Sequence, residues 1–262
     1  MNSDQPIESF DRLLFIMDEL RDKCPWDKKQ TFESLRHLTI EEMYELTEAI
    51  LENDIASIRK ELGDILLHIV FYAKIASETG DFNIKDVLDG ICEKLIFRHP
   101  HVFGNVSVKN EDDVKTNWET LKIKEGNKSI LAGVPKSLPA MVKAHRIQDK
   151  ARAVGFDWDI REQIWDKIEE ELGELKEEIG QMNTQKIEAE FGDLFFSMVN
   201  AARLYGIDPE AALERTNKKF INRFNYLEKQ TINKGRSLTS MTLDEMNIIW
   251  EEAKSVSYKE NF

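Results

Sequence analysis

Helix-breaking residues are scarce in this chain, with 12 glycines and 6 prolines in 262 residues. That supply is too small for a turn-rich β fold. Strand-like alternation is poor throughout, and no run of about eighteen apolar residues exists to cross a membrane. The first ten residues, MNSDQPIESF, lack the basic and apolar regions of a signal peptide, so a cytoplasmic protein with no membrane partner is expected. The two cysteines, Cys24 and Cys92, have no C-x-x-C spacing, which excludes a zinc knuckle and a disulfide framework and reads as two reduced thiols. Positive charge is also short: 36 Lys and Arg against 49 Asp and Glu leave a formal charge of -13. Such a surface has no general affinity for nucleic acid, which needs surplus cations. Neither a G-x-x-x-x-G-K-[ST] loop nor a G-x-G-x-x-G fingerprint is present, so any bound phosphates must be held by metals and side chains.

What the chain does have is a balance of 32% charged and 41% hydrophobic residues, which favours a packed, mostly helical protein, long enough for two domains with their own cores. It also has an internal repeat. The stretch EEMYE at 41–45 returns as EELGE at 170–174, and ELGD at 61–64 returns as EFGD at 190–193. Five acids, Glu41, Glu42, Glu45, Glu61 and Asp64, thus recur as Glu170, Glu171, Glu174, Glu190 and Asp193, all at an offset of 129. Upstream, CPWD at 24–27 faces FDWD at 156–159. Downstream, Lys94 and Arg98 match Lys219 and Arg223 at an offset of 125, and Trp118 with Lys122 matches Trp250 with Lys254 at 132. The changing offsets predict loops of different length between constant motifs. The expected organisation is two tandem homologous all-α helical-bundle domains, 1–125 and 140–262, joined by a connector at 126–139 whose glycines and prolines interrupt helical periodicity.

At about 100° per residue, Leu62, Ile65, Leu66, Ile69, Ala73 and Ala76 form one apolar stripe, with Glu61 and Asp64 on an arc beside it. Met43, Leu46 and Ile50 form a second stripe, with Glu41, Glu42 and Glu45 on another arc. Phe191, Leu194, Phe195, Met198 and Ala202 repeat the first stripe. These stripes are expected to be core, and two such helices packed antiparallel turn both acidic arcs toward one cleft. Glu-rich helix faces are usually solvated, and a single copy would read that way. Five acids that keep identity and spacing in two otherwise diverged copies read instead as a site. Like charges this close destabilise one another unless a cation neutralises them. An all-oxygen donor set selects a hard cation, Mg²⁺ or alternatively Mn²⁺.

Trp118 and Trp250 read most simply as core residues, but a lysine one turn on would suit a base stacked on the indole with an ammonium near a phosphate. Lys219 and Arg223 share one helix face and could equally be surface cations. His99 and His101 in RHPHVFG, and His68, have no histidine counterpart in the second copy and are not counted as ligands.

E-E-x-x-E followed after about sixteen residues by E-x-x-D resembles the all-α nucleoside triphosphate pyrophosphohydrolases of the MazG family. CPWD, RHPHVFG, GVPKSLPA and VGFDWD extend that resemblance from about residue 8 to 255. The resemblance implies a helical-bundle homodimer that splits nucleoside triphosphates, ribo or deoxy, into monophosphate and pyrophosphate with Mg²⁺, a nucleotide-pool housecleaning activity. It implies Glu171, Glu174, Glu190 and Asp193 as metal ligands, with Glu170 orienting or activating water. Lys219, Arg223, Trp250 and Lys254 then bind the nucleotide. The first copy offers the equivalent metal set Glu42, Glu45, Glu61 and Asp64, with Glu41, Lys94, Arg98, Trp118 and Lys122 around it. The second half is expected to be the better catalyst. Two rivals remain: a nucleotide-sensing bundle without turnover, and a di-iron carboxylate oxidase, which would need Glu-x-x-His pairs that the repeated acids lack.

Overall fold

The computed structural model describes residues 5–110, 113, 114, 117, 118, 121, 129–233 and 235–259. The chain divides into two compact units, Met1–Val114 and Lys115–Phe262. No strand occurs among the described residues, and no helix there is long and apolar enough to cross a membrane. In the first unit run α1 (Gln5–Lys23), α2 (Phe32–Leu51), α3 (Ile55–Thr79), α4 (Ile84–Arg98) and the short α5 (Pro100–Phe103). In the second run α6 (Ala140–Arg152), α7 (Ile164–Gln181), α8 (Thr184–Leu204), α9 (Pro209–Asn233) and α10 (Leu243–Lys259). Further helical residues, Asp113, Val114, Asn117, Trp118 and Leu121, lie between α5 and α6.

Local chemistry sets the central hairpin of each unit. Helix α2 starts at a capping box, in which the Ser34 backbone N–H donates to Thr31 Oγ1 at 3.2 Å and the Thr31 N–H donates to Ser34 Oγ at 2.8 Å, satisfying two otherwise orphaned donors. The chain then reverses through Asn53, at a left-handed φ of 55°, and α3 starts on Asp54, whose Oδ1 accepts from the Ala56 and Ser57 amides. The second hairpin repeats this turn at the same offset of 129: Met182 has a φ of 57° and Asn183 caps α8. These are the only non-glycine residues with positive φ among the described residues. Asparagine tolerates that region, whereas methionine there costs about 1–2 kcal/mol, so the tight turn is held by what the hairpin gains elsewhere.

The change of offset from 129 to 125 does not come from a loop. Four residues separate α3 from α4 and four separate α8 from α9, but α3 has 25 residues and α8 has 21. The first copy contains one extra helical turn, ended by Gly80 at a φ of 77°. A second difference follows. Helix α4 stops after 15 residues at His99–Pro100, while α9 continues for 25. Proline has no amide donor and pushes the preceding residue out of helical geometry; Asn225, four residues past Ile221, imposes no such stop.

The end of each long helix is tied near the end of its unit's first helix, to that helix's last turn in one unit and to the segment after it in the other, with the charges exchanged. Arg21 in the last turn of α1 pairs with Glu78 of α3, reaches the Gln30 carbonyl at 3.1 Å and covers the Phe71 ring. In the second unit it is α8 that supplies the cation: buried Arg203 forks onto Asp157 and also donates to Asn200. The first core comprises Met17, Leu35, Val70, Phe71 and Ile75, with Phe10, Leu13 and Tyr72 packed against it. In the second unit Ile164, Leu175, Val199, Leu227, Ile249 and Ala253 are buried, and Gln148 ties α6 to α8 by donating to the Phe196 carbonyl at 2.8 Å. Within the segment expected to be a connector, Ile130–Gly133 forms a short 3-10 turn whose Ile130 carbonyl accepts from Lys150 Nζ at 3.0 Å.

The apolar stripes expected to be core are only partly so. Ala73 and Ala76 are buried, but Leu62 is 54% exposed and Phe195 62% exposed, and Met43, Ile50, Leu66, Ile69, Phe191 and Met198 are also exposed. Helical spacing gives the direction of an apolar face but not what covers it, and in each unit the helices packed on the hairpin leave this face open.

Candidate metal and nucleotide site

Each hairpin gathers three of its five repeated acids. Glu42 and Glu45 of α2 and Glu61 of α3 each place a carboxylate oxygen within 4.8 Å of the others, and Glu171 and Glu174 of α7 do the same with Glu190 of α8. The antiparallel turn produces this arrangement, because it sets the acidic arc of one helix beside that of the next. Asp64 and Asp193 stand next to these clusters rather than inside them. Their negative charges help to hold Glu42 and Glu190, respectively, above the usual carboxylate range. Glu41 and Glu170 are exposed and outside the clusters, Glu170 being paired with Lys167 at 3.1 Å.

The two clusters are compensated differently. In the first, Lys60 Nζ lies 2.9 and 3.2 Å from the two oxygens of Glu61, 3.6 Å from Asp64 and 3.9 Å from Glu45. This ammonium holds Glu61, which is only 5% exposed. In the second, the buried acid is on the other helix: Glu171 is 6% exposed and meets Lys167 Nζ at 2.8 Å. Hydrogen bonds from Lys167 to Glu171 and Glu170 raise its own pKa. Glu190, the counterpart of Glu61, keeps one carboxylate oxygen buried with no hydrogen-bond partner. Burial is the largest cause of its raised pKa, followed by the charges of Glu174, Asp193, Glu171 and Glu178. For Glu42, burial likewise leads and three acids add to it, but Lys60 works in the opposite direction.

Three hard oxygen donors within reach of one point, one of them aimed into a buried position with nothing to accept from, fit a divalent cation of the Mg²⁺ or Mn²⁺ type. They do not fit a soft metal, since no cysteine or histidine joins either group. In the first unit His68 is buried nearby, but its Nδ1 is taken by Thr39 Oγ1 at 3.0 Å, which in turn meets the Tyr72 hydroxyl at 2.7 Å.

The nucleotide-binding candidates form a separate group. Lys219 and Arg223 lie on α9, Lys219 exposed and Arg223 half-buried with its Nε unpartnered. Neither makes an ion pair with the five acids among the described residues. Trp250 of α10 is half-buried and packs on Phe220 of α9, centroids 5.1 Å apart at 55°, while Phe220 stacks with Phe224 at 6.2 Å. Lys254 pairs with Glu251 one turn back at 2.6 Å. Of the first-copy candidates, Lys94 is exposed and Arg98 half-buried on α4 of the first unit, while Trp118 is half-buried and falls just beyond that unit's end at Val114; Lys122 lies outside the described residues.

Reading the repeat missed Lys60 and Lys167 because it sought identities. Their counterparts at an offset of 129 are Ala189 and Leu38, so neither cation is repeated. Phe220 was missed for the same reason, having Leu95 opposite it at an offset of 125. A search for lysine one turn before the first cluster glutamate, or beside the second, would have found both cations.

An all-helical chain whose duplicated hairpins each present a three-carboxylate cluster belongs to the class of helical-bundle carboxylate proteins. Comparison with known proteins narrows this. The MazG nucleotide pyrophosphohydrolase domain matches residues 30–103 and 161–227, spans that contain both acid clusters, Lys94, Arg98, Lys219 and Arg223 but neither Trp118 nor Trp250. A nucleoside triphosphate pyrophosphohydrolase of Escherichia coli K12 is 41% identical over 257 residues, covering 95% of this chain and 98% of its own. The nucleoside triphosphate pyrophosphohydrolase/pyrophosphatase MazG of Thermotoga maritima is 44% identical over 250 residues, covering 94% and 95%. The uncharacterized protein YabN of Bacillus subtilis is 47% identical over 245 residues, which is 91% of this chain but half of that protein. The chain belongs to the MazG nucleotide pyrophosphohydrolase family.

Proposed function

We propose that this protein hydrolyses nucleoside triphosphates to the monophosphate and pyrophosphate, with Mg²⁺ held by the carboxylate clusters and Mn²⁺ able to replace it. The observation that carries the reading is the second cluster, where three glutamates converge and Glu190 presents a buried, unpartnered oxygen. Near-complete alignment with two proteins named for this activity supports it. Glu171, Glu174, Glu190 and Asp193 would hold the cation, and Glu42, Glu45, Glu61 and Asp64 would hold its equivalent in the first unit. When bound, the ion offsets triphosphate charge and orients phosphate oxygens. Glu170 stands at the rim of the second cluster, exposed to solvent, and orients or deprotonates the attacking water. Lys219 and Arg223 stabilise the departing pyrophosphate, for which the free Nε of Arg223 is suited. Trp250, backed by Phe220, stacks on the base, and Lys254 exchanges Glu251 for a phosphate.

In the same reading the protein acts in the cytoplasm as a homodimer, built of tandem domains 1–125 and 140–262. A second copy covers the open apolar faces of the hairpins. Support comes from the exposed Met43, Leu62, Phe195 and Met198 on these faces and from Gly63 and Gly192, mid-helix glycines where an added Cβ would meet nothing within 4 Å, leaving room for another backbone to approach. Light scattering tests this directly: a monomer at micromolar concentration would refute it.

The activity is tested by incubating the protein with ATP, GTP, CTP and UTP in Mg²⁺ and separating pyrophosphate from orthophosphate. Monophosphate and pyrophosphate in equal amounts, abolished by excess EDTA, are expected. Orthophosphate with a diphosphate, or full activity in EDTA, would refute the assignment.

A further inference from the structure

The two clusters share every acid, yet one feature separates them. Lys60 directs its ammonium into the first cluster, engaging both oxygens of Glu61 at 2.9 and 3.2 Å and standing 3.9 Å from Glu45 and 3.6 Å from Asp64. It therefore contacts two of the three converging carboxylates and the neighbouring aspartate. The second cluster has Ala189 in its place. Its own lysine, Lys167, is on the other helix and reaches Glu171 and the outlying Glu170, leaving Glu190 with a buried oxygen that nothing satisfies.

We propose that Lys60 is a tethered counter-ion that competes with the divalent cation for the first cluster, so that the two halves of one chain bind metal with different affinity despite identical ligands. An ammonium donates hydrogen bonds to the same carboxylate lone pairs that a cation must use. Metal entry at the first cluster must displace Lys60 from both oxygens of Glu61 and from beside Glu45 and Asp64, whereas entry at the second displaces Lys167 from one oxygen of Glu171 and meets a Glu190 oxygen already free. The lysine side chain is 65% exposed, so its removal is local and it can swing into water when displaced; solvent screening keeps the competition modest. The device makes the first site one that fills only at higher metal concentration.

The inference rests on the clusters being metal sites, and the test separates the two ideas. Mn²⁺ alone is titrated into the full chain and free Mn²⁺ is read by electron paramagnetic resonance, with no nucleotide present. In a chain whose second cluster is disabled by Glu171→Gln and Glu174→Gln, adding Lys60→Ala is expected to tighten Mn²⁺ binding about tenfold, equal to about 1.4 kcal/mol, while Lys60→Arg leaves it weak. With the first cluster disabled by Glu42→Gln and Glu45→Gln, Ala189→Lys is expected to weaken binding about tenfold. Unchanged or weaker binding on Lys60→Ala, with the second cluster of the native chain binding Mn²⁺ normally, overturns the role of Lys60 alone. No Mn²⁺ binding at either cluster overturns the metal reading and this inference with it.

Discussion

The hairpins α2–α3 and α7–α8 carry the same five acids, a left-handed turn residue at the same position and a side-chain cap at the same position, Asp54 in one and Asn183 in the other, yet bury different glutamates. Glu61 on the second helix of the first hairpin is the enclosed acid, whereas in the second hairpin it is Glu171 on the first helix. In each case the buried carboxylate is the one that a lysine reaches, Lys60 in one and Lys167 in the other. The comparison teaches that ligand identity is only part of a metal site. Where the fixed cation sits decides which carboxylate can be enclosed, and which is left needing a partner.

The largest effect should come from the acids themselves. Glu171→Gln with Glu174→Gln is expected to lower pyrophosphate release by at least about 100-fold, because charge compensation at the phosphates is worth several kcal/mol. Glu42→Gln with Glu45→Gln should lower it far less. Equal partial losses in steady-state assays would show two comparable sites and break the comparison. The exchanged ion pairs give the next contrast. Arg203 is buried against Asp157, whereas Glu78 beside Arg21 is partly solvated. Arg203→Ala is therefore expected to cost about 3 kcal/mol in urea unfolding, and Glu78→Ala about 1 kcal/mol or less. The reverse order would show that the two anchors are not equivalent in role.

Trp250→Ala should weaken nucleotide binding by about 1–3 kcal/mol on all four bases, since every base offers a π face. Arg223→Ala should lower kcat more than it raises KM, because charge on the leaving group grows toward the transition state. Unchanged Michaelis constants for a folded Trp250→Ala protein would return this tryptophan to a packing role against Phe220. The smallest effect concerns the crowded acids without metal. The carboxyl of Glu190 is raised above its unfolded value of about 4.5, so its ionisation is disfavoured in the fold: the native chain has no penalty below that pH and acquires one as pH rises through the folded value. In EDTA, Glu190→Gln should therefore raise the melting temperature at pH 7, with the gain fading as pH falls toward 4, and Glu42→Gln should give less because Lys60 already offsets that charge.

Much of this was legible in the sequence because helices were the only regular option and the repeat marked what mattered. The two acidic arcs, their convergence and the all-α duplicated architecture follow from residues at i, i+1, i+4 and a short turn between them. Three things were not legible. The exposed apolar faces, such as Leu62 and Phe195, read as core because periodicity reports a face and not its cover. The extra turn of α3 read as a loop because an insertion of one helical turn preserves the face of every residue after it. Lys60 and Lys167 escaped because compensation of charge can be supplied from either helix, so selection need not repeat the residue that provides it.

The most direct test of unequal clusters is to grow crystals of the protein without metal, soak them in manganese at limiting concentration and record an anomalous difference map. The account predicts a strong peak among Glu171, Glu174 and Glu190 and a weaker one, or none, among Glu42, Glu45 and Glu61 until the concentration is raised. Equal peaks at the lowest concentration, or a stronger peak beside Lys60, would contradict it.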